Sequence, residues 1–438
     1  MYRYAIEDLK KWKTDPHRKP LIIQGARQVG KTWLMKEFGR QEYEDTAYIN
    51  LDENSMMQSL FSEDINVNRI IAGLEIYIGR KIDPKKTLII FDEVQEVPRA
   101  LSSLKYFCEE APEYQIVCAG SLLGIALHSG TSFPVGKVNH LQLYPMTFRE
   151  FLIAEGNDRL AGLITNSEFE LIEIFRSTYI DSLKRYYFVG GMPEVVSRYV
   201  ETGDLNQVKK VQQQILRDYE QDFSKHAPNQ VVPKIRMVWN SIPSQLSREN
   251  RKFIYGLVRE GARARDYEEA ILWLSDCGLV HRVSRIKAPR LPLSAYEDLK
   301  AFKLFLVDVG LLSCMAGLQQ QTILEGNSLF SEFKGALTEQ YVLQQLKTKE
   351  NLGLYYYTND RGNCEIDLVA DTGDQIVPIE VKAEENLQAK SLRSYRDKYS
   401  PGLALRTSMS GYRVQQGLVN LPLYAVEAFP GMCKKDGL

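Results

Sequence analysis

Residues 21–32 read Leu-Ile-Ile-Gln-Gly-Ala-Arg-Gln-Val-Gly-Lys-Thr: an apolar run ending in glycine, a second glycine, then a lysine and a threonine. The pattern GxxxxGK[ST], with a strand-like run before it and the helix-forming segment KTWLMKEF from Lys31, decides the fold of this part of the chain. Gly25 and Gly30 let the backbone curl so that its N–H groups face phosphate oxygens. The following helix turns the positive end of its dipole to the same anion. Gly25, Ala26, Arg27, Gln28, Val29, Gly30, Lys31, Thr32 and Trp33 are therefore the expected nucleotide-binding residues. Lys31 would reach the β and γ phosphates of ATP, and the Thr32 hydroxyl would face Mg²⁺.

Outward from this loop, to about Phe148, strand-like runs (PLIIQG, AYINL, TLIIFDE, YQIVCAG, HLQLYP) alternate with amphipathic segments. That alternation predicts βαβ units, a parallel sheet and an α/β P-loop NTPase. Leu88-Ile89-Ile90-Phe91-Asp92-Glu93 supplies the second half of such a site. Asp92 is expected to hold Mg²⁺ through its water shell, and Glu93 to orient and deprotonate a water facing the γ-phosphate. Ser121, after Ile116–Gly120, would act as a γ-phosphate sensor if its strand lies between those of the loop and of Asp92. A simple strand-ending turn is the alternative.

The P-loop, LIIFDEVQEVP, CAGSLLG and PVGKVNHLQLYPMTFREFL together resemble a widespread family of bacterial and archaeal AAA-type ATPases whose ATPase domain precedes a C-terminal domain of unknown function. GGMPEVV at 190–196 and the EID and EVK elements near the C-terminus fit the same family, so the resemblance spans essentially the whole chain. It implies an AAA-like ATPase using ATP and Mg²⁺. Many relatives carry Gly-Arg ahead of the HLQLYP-like strand, the arginine being a candidate finger for transition-state charge. This chain has Gly136-Lys137, which keeps the charge but loses the planar fork of donors. Lys137 is the catalytic candidate at that position, with Arg149 and Arg185 as substitutes.

Residues 156–230 carry helical periodicity, as in VKKVQQQILRDYEQDF. Between 231 and 322, IRMVWNSIPSQL and RKFIYGLVREG read as helices. ARDYEEAILWLSDCGLVHRV reads as a helix stopped by Gly278 and followed by a strand, with KLFLVDVGLL returning beside it. A winged helix-turn-helix is the expected form. Arg248, Arg251, Lys252, Arg259, Arg263 and Arg265 give it a locally basic face suited equally to DNA phosphates and to a protein partner.

In 323–438, FKGALTEQYVLQQL reads as a helix, and LYYYTND, EIDLVAD and QIVPIEVKA as strands. Glu339, Asp367 and Glu380-Val381-Lys382 recapitulate the PD-(D/E)xK nuclease pattern, because Glu380 and Lys382 share one face of a strand. Asp367 and Glu380, with Glu339, are candidate ligands for a second metal, and Lys382 for positioning a water. An edge strand with charges alternating about a buried valine is the bland alternative. The resemblance also implies a restriction-endonuclease-like α/β fold here, cutting or merely binding. The expected domains are thus an ATPase at 1–155, a helical segment at 156–230, a winged helix at 231–322 and a nuclease-like domain at 323–438.

The whole chain of 438 residues has 55 basic against 56 acidic side chains, net charge −1, which argues against nucleic-acid binding by bulk charge and leaves local patches. Six cysteines without a CxxC pair exclude a familiar structural zinc site. No long apolar run occurs, so no membrane association and a cytoplasmic location with reduced thiols are expected. ATP is the expected ligand, and DNA or another protein the candidate macromolecular partner.

Overall fold

The computed structural model describes residues 1–120, 133–248, 251–320, 328–359, 362, 364–385 and 389–432. They fall into two compact units. Arg3–Tyr144 with Asp276–Leu279 make one, and Met1–Tyr2, Pro145–Ser275 and Val280–Leu438 the other. The change of unit at Tyr144 comes ahead of the expected boundary at 155.

The first unit runs α1 (Ala5–Thr14), β1 (Leu21–Gln24), α2 (Lys31–Glu42), β2 (Asp45–Asn50), α3 (Ser55–Ser62), α4 (Val67–Ile78), β3 (Thr87–Asp92), α5 (Pro98–Glu110), β4 (Gln115–Ala119) and β5 (Asn139–Gln142). Its strands form one five-stranded sheet in the order β2-β3-β4-β1-β5, every pair parallel. Helices on both faces bury such a sheet, which is why β3 and β4 are apolar and covered along their whole length. Ile22, Ile89, Phe91, Ile116 and Cys118 pack with Leu74, Leu101 and Leu104 of the helices. The order sets β4 between β1 and β3, so the loop after β1 and the acids at the end of β3 open at the same carboxyl edge of the sheet.

The second unit opens with helices α6 (Phe148–Ala154), α7 (Asp158–Asn166), α8 (Phe169–Ile174), α9 (Arg176–Val189), α10 (Pro193–Thr202), α11 (Leu205–His226), α12 (Val232–Leu246), α13 (Tyr255–Val258) and α14 (Ala264–Asp276). There follow β6 (Val280–Ile286), β7 (Glu297–Leu306), α15 (Val309–Met315), α16 (Ser328–Lys347), β8 (Gly353–Thr358), β9 (Glu365–Asp371), β10 (Ile376–Val381), α17 (Lys390–Tyr399), β11 (Ala404–Ser408), β12 (Arg413–Gln415) and β13 (Leu418–Pro422). Eight strands make one mixed sheet in the order β12-β13-β11-β10-β9-β8-β6-β7.

Two expectations change here. The segment RKFIYGLVREG is helical only over Tyr255–Val258. Gly256 and Gly261 weaken the helix, and Phe253 instead donates its backbone N–H to Phe302 O and stacks on the Phe302 ring. The β6–β7 hairpin is not a separate wing. β6 pairs in parallel with β8 at Arg285–Tyr356 and Ile286–Tyr357, so the hairpin extends the C-terminal sheet.

The GGMP turn after α9 has a structural role. Gly191 N–H donates to Asp308 Oδ2 at 2.6 Å, and Gly191 O accepts from Met146 N–H at 2.6 Å. Among the described residues no helix is long and apolar enough to cross a membrane.

Candidate functional site

In the first unit, β1 ends at Gln24 and the backbone curls through Gly25 (φ +150°), Gln28 (φ +64°) and Gly30 (φ +94°) into α2. A Cβ on Gly25 would lie 2.2 Å from Leu143 O, so only glycine fits. Arg3, buried, holds the loop from beside α1, its Nη1 donating to Val29 O at 2.8 Å and its Nη2 to Tyr144 O at 2.6 Å.

Lys31 lies at the first position of α2, buried, and its Nζ donates to the loop carbonyls of Gly25 at 2.9 Å and Ala26 at 2.8 Å. Burial pulls its pKa down to about 8 against the opposing pull of Glu93 and Asp92. Thr32 Oγ1 donates to Asp92 Oδ2 at 2.7 Å, and Tyr48 from β2 donates its hydroxyl to the same oxygen at 3.0 Å. Glu93 follows in a left-handed conformation, φ +52°, and accepts from Gln95 Nε2 at 2.7 Å. Trp33 is 41% exposed, one position beyond Thr32.

The expected loop, Lys31, Thr32, Asp92 and Glu93 are thus brought to one sheet edge. Arg3, Tyr48 and Gln95 join them, and the sequence reading missed all three. Arg3 and Tyr48 are far from the motif in sequence, and only the strand order brings Tyr48 beside Asp92. Gln95 stood within the recognised LIIFDEVQEVP without a chemical reason to single it out. The hard oxygens of Thr32 and Asp92 meet at one point and fit a hydrated Mg²⁺.

Ser121 lies outside the described residues; β4, which precedes it, does sit between β1 and β3. Lys137 is paired with Glu109 at 2.8 Å. The substitute fingers are engaged inside the second unit, Arg149 with Glu427 at 2.8 Å and Arg185 with Glu155 at 2.7 Å.

In the second unit, α16 carries Glu339, β9 carries Glu365 and Asp367, and β10 leads from Glu380 to Lys382. Lys303 of β7, wholly buried, places Nζ 2.8 Å from both Glu339 Oε1 and Glu365 Oε1. Arg251 pairs with Glu339 Oε2 and lies 3.7 Å from Asp367 Oδ1. Arg251 therefore leaves the basic face expected of it, whereas Arg248, Arg259, Arg263 and Arg265 are exposed. Lys382 Nζ lies 2.6 Å from Glu380 Oε1, and Asp367 Oδ2 accepts the Val381 N–H at 2.8 Å. Burial and the neighbouring Asp367 charge raise the pKa of Glu380 to about 7. Lys303 and Glu365, which the sequence reading passed over, are members of this cluster. Among the described residues no group of acidic, histidine or cysteine side chains is arranged to hold a metal ion.

Three family models match the chain: an AAA domain over residues 17–152, a domain of unknown function (DUF8612) over 180–322, and another (DUF4143) over 334–426. An uncharacterized protein of Methanocaldococcus jannaschii is 23% identical over 212 residues, 47% of this chain and 41% of that protein, so the match spans less than half of the relative. Among solved structures, a Walker-type ATPase of Pyrococcus abyssi shares 14% identity with a TM-score of 0.43, covering 71% of this chain and 94% of that one. The ORC2 protein of Aeropyrum pernix in its ADP form shares 14% with a TM-score of 0.30, covering 69% and 89%. The matched family model, the phosphate-binding loop and the five-stranded parallel sheet together support an AAA-type P-loop ATPase domain over residues 17–152.

Proposed function

We propose that the first unit binds and hydrolyses ATP with Mg²⁺. The observation that carries this reading is the 2.7 Å contact between Thr32 Oγ1 and Asp92 Oδ2 beside Lys31, which joins the two halves of the site across the sheet edge. Lys31 trades its two loop carbonyls for phosphate oxygens when ATP binds, and its buried charge then meets a stronger anion. Thr32 and Asp92 would hold Mg²⁺, which would supply charge neutralisation at the transferred phosphoryl group. Glu93 accepts the proton of the attacking water, and Gln95 fixes the orientation of its carboxylate.

Lys31→Ala should remove nucleotide binding, and Glu93→Gln should leave binding intact while lowering turnover about 10²-fold or more. Equilibrium binding of a fluorescent ATP analogue and a phosphate-release assay read the two effects. Wild-type hydrolysis in both variants would sink the assignment. DNA is the macromolecular partner this reading favours, through exposed Arg259, Arg263 and Arg265; a protein partner is the other outcome. Turnover measured with and without duplex DNA separates them.

A second reading concerns the carboxylates of the second unit, and Lys303 favours it. A metal nuclease needs carboxylate oxygens open to a divalent cation, whereas here Glu339 and Asp367 already face Lys303 and Arg251. The residues do not fit a second metal, and the cluster, in which Lys303, Arg251 and Lys382 meet Glu339, Glu365, Asp367 and Glu380, serves as a structural core in a non-cutting domain. The purified protein should then leave linear and supercoiled DNA intact with Mg²⁺ or Mn²⁺. Metal-dependent cleavage that disappears in Asp367→Asn would overturn this reading.

A further inference from the structure

Gln95 lies in a short turn, Val94–Glu96, between the end of β3 and the start of α5. Val94 and Val97 are buried in the core of the first unit, so both ends of the turn are pinned. Glu96 N–H donates to Glu93 O at 3.0 Å and Val97 N–H to Val94 O at 3.3 Å, which closes it. The Gln95 side chain therefore leaves a fixed backbone.

The two ends of its amide are treated differently. Nε2 donates to Glu93 Oε2 at 2.7 Å, and Glu96 Oε1 lies 3.4 Å from the same nitrogen. Two carboxylate oxygens accept only from the NH₂ end, so the other end is the carbonyl oxygen. Among the described residues, Gln95 Oε1 is buried and accepts no hydrogen bond. A buried acceptor left unmatched costs free energy, and an incoming donor removes that cost.

The neighbouring groups narrow what that donor is. Thr32 and Tyr48 already donate their hydroxyls to Asp92, and Lys31 Nζ donates to Gly25 O and Ala26 O. The phosphates of ATP present acceptor oxygens, not donors, so the group that carries hydrogens to this point is water. Amide geometry sets Oε1 about 4 Å from the Glu93 oxygen that Nε2 holds, close to the spacing of two acceptors that share one tetrahedral water.

We infer that Gln95 is a catalytic residue of the proposed ATP hydrolysis, its Oε1 accepting the second O–H of the attacking water while Glu93 accepts the first. This rests on the ATP reading and adds to it a water held by two acceptors, with a lone pair turned to the γ-phosphorus. As the water oxygen bonds to phosphorus, the bond to the β–γ bridging oxygen breaks and ADP leaves with that electron pair. One proton passes to Glu93 and the other stays on the product phosphate. Nε2 thus aims the base, and Oε1 aims the nucleophile.

The test compares the full chain with Gln95→Met, which keeps the length of the side chain and loses both hydrogen-bonding ends. Calorimetry measures the binding of Mg²⁺-ADP with aluminium fluoride, a mimic of the phosphoryl group in flight with its in-line water, and with beryllium fluoride, a mimic of the ground state. Gln95→Met should weaken the aluminium fluoride complex about tenfold or more, leave the beryllium fluoride complex within about twofold, and lower kcat about 10²-fold at unchanged KM. The urea unfolding midpoint should stay in place. In the Glu93→Gln protein, adding Gln95→Met should lower single-turnover hydrolysis about fivefold further, because Oε1 meets the water directly. Equal weakening of both complexes would put Oε1 on a water of Mg²⁺ or in the fold, and overturns the inference. So does a loss that vanishes in the Glu93→Gln protein, since Gln95 would then act only by holding that carboxylate. Normal binding and turnover in Gln95→Met would sink this inference alone, whereas a wild-type chain that binds no nucleotide would sink the ATP reading with it.

Discussion

At the scale of single residues, burial decides which protonation state the protein tolerates. His281 of β6 is partly buried, and desolvation, with Lys347 adding to it, lowers its pKa to about 3. The folded value lies below the ordinary value of about 6.5, so the native state binds this proton less readily than the unfolded chain. The stability it supports is complete above pH 6.5 and is lost as pH falls toward 3. Between pH 7 and pH 5 the loss should be about 2 kcal/mol, and His281→Leu should flatten that part of the curve in urea unfolding. An unchanged slope would mean that His281 stays wet. Lys31 follows the same logic: burial lowers its pKa to about 8, and Glu93 and Asp92 offset that only in part. That Lys31, Thr32 and Asp92 belong to one candidate site was legible in the sequence because each sits in a local pattern. Lys303 was not, because a lysine inside KLFLVD reads as one polar interruption of a strand until Glu339 and Glu365 are folded around it.

At the scale of elements, caps and close approaches fix where segments stop and meet. α6 starts on a capping box, Thr147 accepting from Glu150 N–H and Glu150 accepting from Thr147 N–H, which sets the chain entering the second unit. The neighbouring GGMP turn is held by Asp308, whose buried carboxylate accepts the N–H groups of Gly191 and Leu311. A Cβ on Gly191 would sit 2.1 Å from Met146 O, a backbone atom that cannot yield cheaply. Gly191→Ala should therefore destabilise the protein by about 3 kcal/mol in urea unfolding. A change below about 0.5 kcal/mol would mean that the turn relaxes freely. GGMPEVV could be recognised in the sequence, yet its partner Asp308 is distant along the chain, so the purpose of the glycines was not readable. The short α13 shows the converse: a helical pattern lost to glycine and to the attraction of Phe253 for the β7 strand.

At the scale of the whole molecule, the two units make different predictions. Mg²⁺-ATP at about one hundred times its dissociation constant should stabilise the unit that binds it by about 3 kcal/mol, and Lys31→Ala should erase the shift. Thermal unfolding followed by circular dichroism reads this, and an equal shift in the variant would place the nucleotide elsewhere. By itself the sequence determined the parallel α/β sheet, the phosphate loop and the acids at the end of β3. Strand alternation, glycine geometry and helix starts are written in neighbouring residues. It also set out the helix and strands that carry Glu339, Asp367 and Glu380, with Lys382 one residue beyond its strand. Only the tertiary structure decided the strand order that brings Tyr48 to Asp92, the joining of the β6–β7 hairpin to the C-terminal sheet, and the filling of the carboxylate cluster by Lys303 and Arg251. Those pairings are long-range: a charge finds its counter-charge only after strands far apart in the chain have been laid side by side, and no local periodicity records that choice.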